Sequence, residues 1–276
     1  MNYLEFKFKI EPVNPFQDIL IYELGNIGFE SFTQDEQEVM AYIAECEFNK
    51  ESLDELYLFT QEGVSLSYQT TSIPQQNWNA EWERNFPKVT VDDYCEIIAP
   101  FHEPSDAVKF QIHIEPKMSF GTGHHDTTFM MMQLMRTLDI KGKRAMDMGC
   151  GTGVLAILAF LEEAKQIVAV DIDDWAYENT IENCERNNSP SIEIHKGGAD
   201  KIGASIFDIF IANINRNILL RDLDTYVKSM AVGADLLLSG FFVTDFDQMH
   251  QKLMALGLTQ VKKVDRNNWC ALHYKK

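Results

Sequence analysis

The sequence predicts an open, doubly wound α/β sheet in its C-terminal half, preceded by a small α+β unit. Three observations carry that prediction. From Lys143 to the end, short apolar runs alternate regularly with helical stretches, the pattern of a sheet built from strand–helix repeats. Within it, an apolar run ending in Asp147 turns into a helix through three alternating glycines, Gly149, Gly151 and Gly153. Before it, residues 1–73 alternate strand and helix in the order βαββαβ, that of a ferredoxin-like unit.

In residues 1–73, Tyr3 to Ile10 alternates with period two and reads as a half-buried strand. Pro15 to Phe29 carries apolar residues at helical spacing, with Gly28 as a stop signal. Ser31 to Thr33 is a short extended piece, and Val39 to Cys46 a firmer strand. Ser52 to Gln61 reads as a second helix ended by Gly63, and Val64 to Tyr68 alternates again. No catalytic constellation is visible here, so recognition or spacing is the expected role.

Residues 74–118 read as a bridge. Trp78, Trp82 and Phe86 share one face of a short helix that stops near Pro87, an aromatic stripe expected to pack rather than bind. Tyr94 to Ala99 and Val108 to Glu115 read as two strands joined by a turn with Pro100 and Pro104. The main domain is then residues 119–276. It opens with Phe120-Gly-Thr-Gly-His-His-Asp-Thr-Thr, a glycine loop placed where a lid would lie. Asp126 is the expected N-cap of a helix from Thr127 to Leu138.

Strands are expected at Arg144–Met148, Gln166–Asp171, Ile192–His195, Phe207–Asn213, Ala234–Ser239, Thr259–Val264 and Trp269–Tyr274. Helices fall between them at Val154–Ala164, Trp175–Asn187, Asn217–Met230 and Asp245–Leu256. The economical arrangement is a parallel sheet with an antiparallel end, its ligand at the carboxyl ends of the strands.

Bulk composition narrows the class of function. With 45% apolar and 24% charged residues, the 276-residue chain has the balance of a folded globular protein. It contains no apolar run of membrane-spanning length and no secretory leader pattern, so a cytoplasmic monomer with no membrane attachment is expected. Five scattered cysteines without a CxxC pair suit a reducing compartment, and no structural metal is expected. The net charge of −18 disfavours direct nucleic-acid binding and would attract a basic protein.

The glycine corner is a nucleotide-type cofactor seat. Its residues let backbone approach a ligand, and the helix it opens presents free N–H groups. Asp171, about twenty residues beyond Gly151, can accept hydrogen bonds from a ribose diol. Gly151-x-Gly153-x-x-Ala156 also satisfies the relaxed dinucleotide pattern, so a nicotinamide-dependent oxidoreductase is an alternative. Asp147 beside the turn would repel a pyrophosphate but suit an ammonium and a sulfonium, which favours S-adenosylmethionine.

Four stretches together resemble a known family. Phe120-Gly-Thr-Gly-His-His-Asp-Thr-Thr, Met146-Asp-Met-Gly-Cys-Gly-Thr-Gly-Val-Leu, Val170-Asp-Ile-Asp and Ile211-Ala-Asn-Ile are similar to those of PrmA, the methyltransferase family of the eleventh large-subunit ribosomal protein. The likeness runs from about Trp78 to the end, and the N-terminal unit fits that family's substrate-recognition domain. It implies a Rossmann-like methyltransferase sheet and trimethylation of a basic ribosomal protein at its α-amine and lysines. The resemblance implies cofactor contacts from Thr128, Gly149, Asp171 and Asn213; Asp147, Gly151, Gly153, Phe120 and Gly121 complete the expected cofactor set. Asn213 is the expected catalytic residue, its carbonyl accepting a hydrogen bond from the substrate amine. A dedicated base is unnecessary, though His124 or His125 could serve. The chain departs from the family pattern at His124 and Asp126, and at Asn215-Arg216-Asn217, which puts the substrate in question more than the cofactor. A methyltransferase with another protein or a small molecule as substrate is the nearest alternative.

Overall fold

A computed structural model describes residues 2–35, 37–74, 83, 85–117 and 119–276. The chain divides into two compact units, Met1–Asn85 and Phe86–Lys276.

The smaller unit contains β1 (Tyr3–Glu11), α1 (Phe16–Asn26), β2 (Ser31–Gln34), β3 (Glu38–Ala44), α2 (Lys50–Asp54) and β4 (Ser65–Ile73). Alternation in β1 buries Phe6, Phe8 and Ile10 and turns Lys7 and Lys9 outward. The sheet order is β2-β3-β1-β4, antiparallel throughout, so β3 lies between the two strands that α1 connects. That is the split-βαβ arrangement. Leu20 and Leu24 of α1, with Leu53 and Leu58, cover the phenylalanines on one face. The second helix is shorter than the apolar spacing suggests. After Asp54 the chain extends at Leu56 and re-forms as a single 3₁₀ turn, Tyr57–Phe59. Glu23 explains the break, because its carboxylate accepts the backbone N–H groups of Tyr57 (3.1 Å) and Leu58 (3.4 Å).

The expected Trp78–Trp82 stripe lies outside the described residues. From Phe86 onward the lead-in region belongs to the larger unit. Its strands β5 (Val89–Val91), β6 (Cys95–Ile98) and β7 (Phe110–His113) form a small sheet in which β6 and β7 run parallel. The segment with Pro100 and Pro104 is therefore a crossover and not a hairpin turn. Val91, Cys95, Ile97 and Ile112 are buried in the same core as the main sheet, which is why these strands do not stand apart as a bridge.

The larger unit continues with α3 (Asp126–Met135), β8 (Arg144–Met148), α4 (Val154–Leu161), β9 (Gln166–Asp171), α5 (Asp174–Arg186) and β10 (Ile192–Lys196). It ends with β11 (Phe207–Asn213), α6 (Arg216–Lys228), β12 (Met230–Phe242), α7 (Phe246–Ala255), β13 (Thr259–Arg266) and β14 (Trp269–Lys275). Seven strands form one sheet in the order β10-β9-β8-β11-β12-β14-β13. The five from β10 to β12 are parallel, while β14 enters antiparallel between β12 and β13.

Alternation along the central strands supplies two apolar faces. Ala145, Ile167, Ile209 and Ile211 meet α3 and α4, whereas Met146, Val168, Phe210 and Leu236 meet α6 and α7. Burial on both faces is what makes these strands read as continuous apolar runs. Strand order reverses between β8 and β11, and a doubly wound sheet opens a crevice at that point. Among the described residues no helix is long and apolar enough to cross a membrane.

Candidate active site

A cavity of about 660 Å³ lies at the carboxyl ends of β8, β9 and β11, where the strand order reverses. Of the residues expected from sequence, Phe120, Gly149, Gly151, Asp171 and Asn213 line it. Thr128, Asp147, Gly153 and Gly121 do not form part of the lining.

The glycine turn is shaped by close approaches. Gly149 and Gly151 have φ of +74° and +58°, in the left-handed region that side chains disfavour. A Cβ on Gly151 would strike the Phe120 carbonyl, and one on Gly149 would strike the Ile214 side chain. Gly153 does a different job. It is the left-handed N-cap of α4, and a Cβ there would press on Thr180 of α5 at 2.8 Å. It brings two helices together and does not face the cavity.

Thr152 joins the two glycine motifs. Its N–H donates to the Phe120 carbonyl (2.9 Å) and its hydroxyl to the Gly121 carbonyl (2.7 Å). The base of the loop at Phe120–Gly121 is thus tied to the glycine turn, and Gly121 serves as its anchor. From the other side Asn183 donates to the Thr152 carbonyl (2.9 Å), and Thr180 to that of Gly151 (2.8 Å).

Asp171 ends β9 with its carboxylate fixed by two backbone donors, Gly151 N–H (2.9 Å) and Asp173 N–H (3.0 Å). It lines the cavity beside Ile172 and Trp175, both largely exposed. A polar carboxylate beside open apolar side chains suits a sugar diol next to a base. Gly197, Gly198 and Ala199 form the opposite part of the lining.

Asp147 corrects one expectation. It is buried beneath the turn and absent from the cavity wall. One oxygen accepts the N–H of Ala156 (3.0 Å), one of the donors that the start of α4 leaves free. Burial pushes its pKa up to about 7, with the Asp171 charge adding to the shift and the Ala156 N–H opposing it. Asp147 therefore braces the turn, and the charge that faces a ligand comes from Asp171.

Asn213 stands at the end of β11. Its amide nitrogen donates to the hydroxyl of Thr128 in the first turn of α3 (3.3 Å). That leaves Oδ1 buried and without a partner among the described residues. A buried acceptor without a donor is uncommon in a protein interior and marks where a donor is required. Asn213 does not cap the next helix. Asn215 does, accepting the N–H of Ile218 (3.1 Å).

Both of the paired histidines make structural contacts. His125, and not Asp126, caps α3 by accepting the N–H of Thr127 at Nδ1 (3.3 Å). Asp126 instead pairs with Arg266 (2.7 Å), whose guanidinium lies over the Phe129 ring. His124 bonds the Pro87 carbonyl (2.9 Å) and packs on Phe86. Arg216 is likewise engaged, with Asp245 (2.6 Å) and with Asn217 Oδ1, and does not line the cavity.

Sequence reasoning missed Trp269 and Gly240, which also line the cavity. The only local sign was the Asn267-Asn268 pair before Trp269, whose positive φ values of 46° and 68° make the tight hairpin turn into β14.

A family model described as ribosomal protein L11 methyltransferase (PrmA) matches residues 16–276. The ribosomal protein L11 methyltransferase of Phocaeicola vulgatus is 39% identical over 99% of both chains. That of Bacteroides fragilis is 40% identical over the same share of each. Among solved structures, a ribosomal protein L11 methylase from Lactobacillus delbrueckii subsp. bulgaricus has the same fold over 69% of this chain and 99% of its own, with a TM-score of 0.65 at 23% identity.

Proposed function

This chain belongs to the ribosomal protein L11 methyltransferase (PrmA) family, and from that premise we propose that it transfers methyl groups from S-adenosylmethionine to amines of ribosomal protein L11 in the cytoplasm. The amines are the N-terminal α-amine and lysine side chains. The observation that carries the reading is the partnerless Oδ1 of Asn213 at the crevice where a cofactor seat and an amine would meet. A dinucleotide reading of the glycine pattern has no support from the relatives.

The residues present fit the cofactor. Gly149 and Gly151 put bare backbone on the cavity wall, Asp171 offers its carboxylate to a ribose, and Ile172 offers an apolar face to a base. When bound, S-adenosylmethionine supplies an activated methyl group on a cationic sulfonium.

What remains for the protein is to hold a neutral nitrogen in line with that methyl group. Deprotonating a lysine at pH 7 costs about 4.6 kcal/mol, and an α-amine only about 1 kcal/mol. Desolvation beside a cation reduces both. Asn213 Oδ1 accepts an N–H of the amine and so aims its lone pair, while Thr128 fixes the amide orientation. His125 Nδ1 is occupied as a helix cap, so the proton leaves to solvent rather than to a dedicated base. The net charge of −18 favours encounter with a basic ribosomal protein.

The test is labelled-methyl transfer into ribosomal proteins from cells lacking this enzyme. The wild type is expected to label L11. Asn213→Ala should lower incorporation by about a hundredfold, the scale of losing one aimed hydrogen-bonding group. Its melting temperature should stay within a few degrees, because Asn215 holds the helix cap. Normal turnover in an unstable Asn213→Ala protein would remove the catalytic role.

A further inference from the structure

Three strand ends and one helix start converge beside Asn213. Asn213 of β11 is in register with Ser239 of β12, and further along β12 Phe242 pairs with Trp269 of β14. Trp269 stacks on Phe242 (ring centroids 4.2 Å, 29° between planes) and meets the His125 ring edge-on (4.6 Å). His125 in turn meets Phe120 (5.0 Å). Phe120, His125 and Trp269 all line the same cavity as Asn213.

The arrangement is held from outside. Asp245 accepts the Phe242 N–H (3.1 Å) and pairs with Arg216, which fixes the ring behind Trp269. Asp126 and Arg266 tie the start of α3 to β13 on the far side of His125.

We propose that the faces of Trp269, His125 and Phe120 form a binding seat for an amine that already carries methyl groups. This rests on the reading of the cavity as an amine methylation site. A primary amine offers Asn213 Oδ1 two N–H groups, a methylamine one, and a dimethylamine none. Each transfer forms an N–C bond, breaks the S–C bond with its electron pair left on sulfur, and places on nitrogen a positive charge that a proton carries away before the next round. By the third round Asn213 has no N–H to accept. The methyl groups of such an amine, and of its ammonium forms, carry partial positive charge and need no hydrogen-bond acceptor. Aromatic faces attract them through their quadrupoles and lose little by shedding weakly held water. Asn213 thus serves the first two transfers, with the aromatic wall taking over as methyl groups replace the N–H donors.

The test reads the distribution of mono-, di- and trimethylated L11 by mass spectrometry at matched first-round conversion. Trp269→Leu is expected to lower the trimethyl-to-monomethyl ratio by about tenfold, and Trp269→Phe to restore most of it. Phe242→Leu, which removes only the ring behind Trp269, should shift the ratio in the same direction. With the wild type, tetramethylammonium should inhibit at concentrations about tenfold lower than ammonium. An unchanged ratio in Trp269→Leu and Phe242→Leu, or equal inhibition by the two cations, overturns the proposal. If Trp269→Leu does not fold, the Phe242→Leu ratio and the cation comparison decide. Absence of any methyl transfer to L11 by the wild type would instead overturn the methyltransferase reading beneath it.

Discussion

Two acidic residues and two asparagines show how little of a residue's role follows from its type. Asp147 and Asp171 both end strands beside the glycine turn, yet one is sealed under it and the other faces the cavity. The buried one makes a measurable prediction. Its folded pKa of about 7 lies above the ordinary unfolded value near 3.9, so between those pH values the unfolded chain has lost a proton that the folded protein keeps. Asp147 therefore supports stability fully below about pH 4, and that support is withdrawn as pH rises to about 7, by up to about 4 kcal/mol. Asp147→Asn keeps a carbonyl for the Ala156 N–H but cannot titrate. The melting temperature of the variant relative to wild type should climb from pH 4 to 7 and then level. A constant difference across that range would show that Asp147 is not the buried acid described here.

Among the elements, the strand–turn–helix from Arg144 to Leu161 was the most legible stretch in the sequence, because apolar spacing and glycine position act locally. The turn leaves little freedom at Gly151. An alanine there must hold a φ near +58° and drive its Cβ into the Phe120 carbonyl. Gly151→Ala should weaken cofactor binding at least tenfold in a calorimetric titration, since the strain alone is on the order of 1–2 kcal/mol. Unaltered affinity would mean that the Phe120 loop yields freely. What the sequence hid was set by distant partners. Glu23 breaks a helix whose own spacing is continuous, and Arg266 takes Asp126 away from the cap position. Parallel pairing of β6 with β7 depends on a core shared with the main sheet. Periodicity marks which side chains are buried and not what they face, so Asp147 read as a ligand and Trp269 went unread.

At the scale of the larger unit, one sheet carries two jobs. Strands β10, β9 and β8 supply the glycine turn and Asp171, while β11, β12 and the antiparallel β14 supply Asn213, Gly240 and Trp269. The doubly wound order was expected from alternation alone, but its consequence for the cavity required the actual neighbours. The two halves meet where β8 pairs with β11, Ala145 against Ile209 and Met148 against Ala212. Any ligand lying across Gly149 and Asp171 on one side and Asn213 and Ile214 on the other spans that junction. It acts as a rivet between two plates. At a hundred times its dissociation constant it adds about 2.7 kcal/mol against any opening that separates the plates. Hydrogen exchange should then slow most at Ala145–Met148 and Ile209–Ala212. An equal slowing along β10 and β13 would mean that the load is shared evenly and the crevice is no seam.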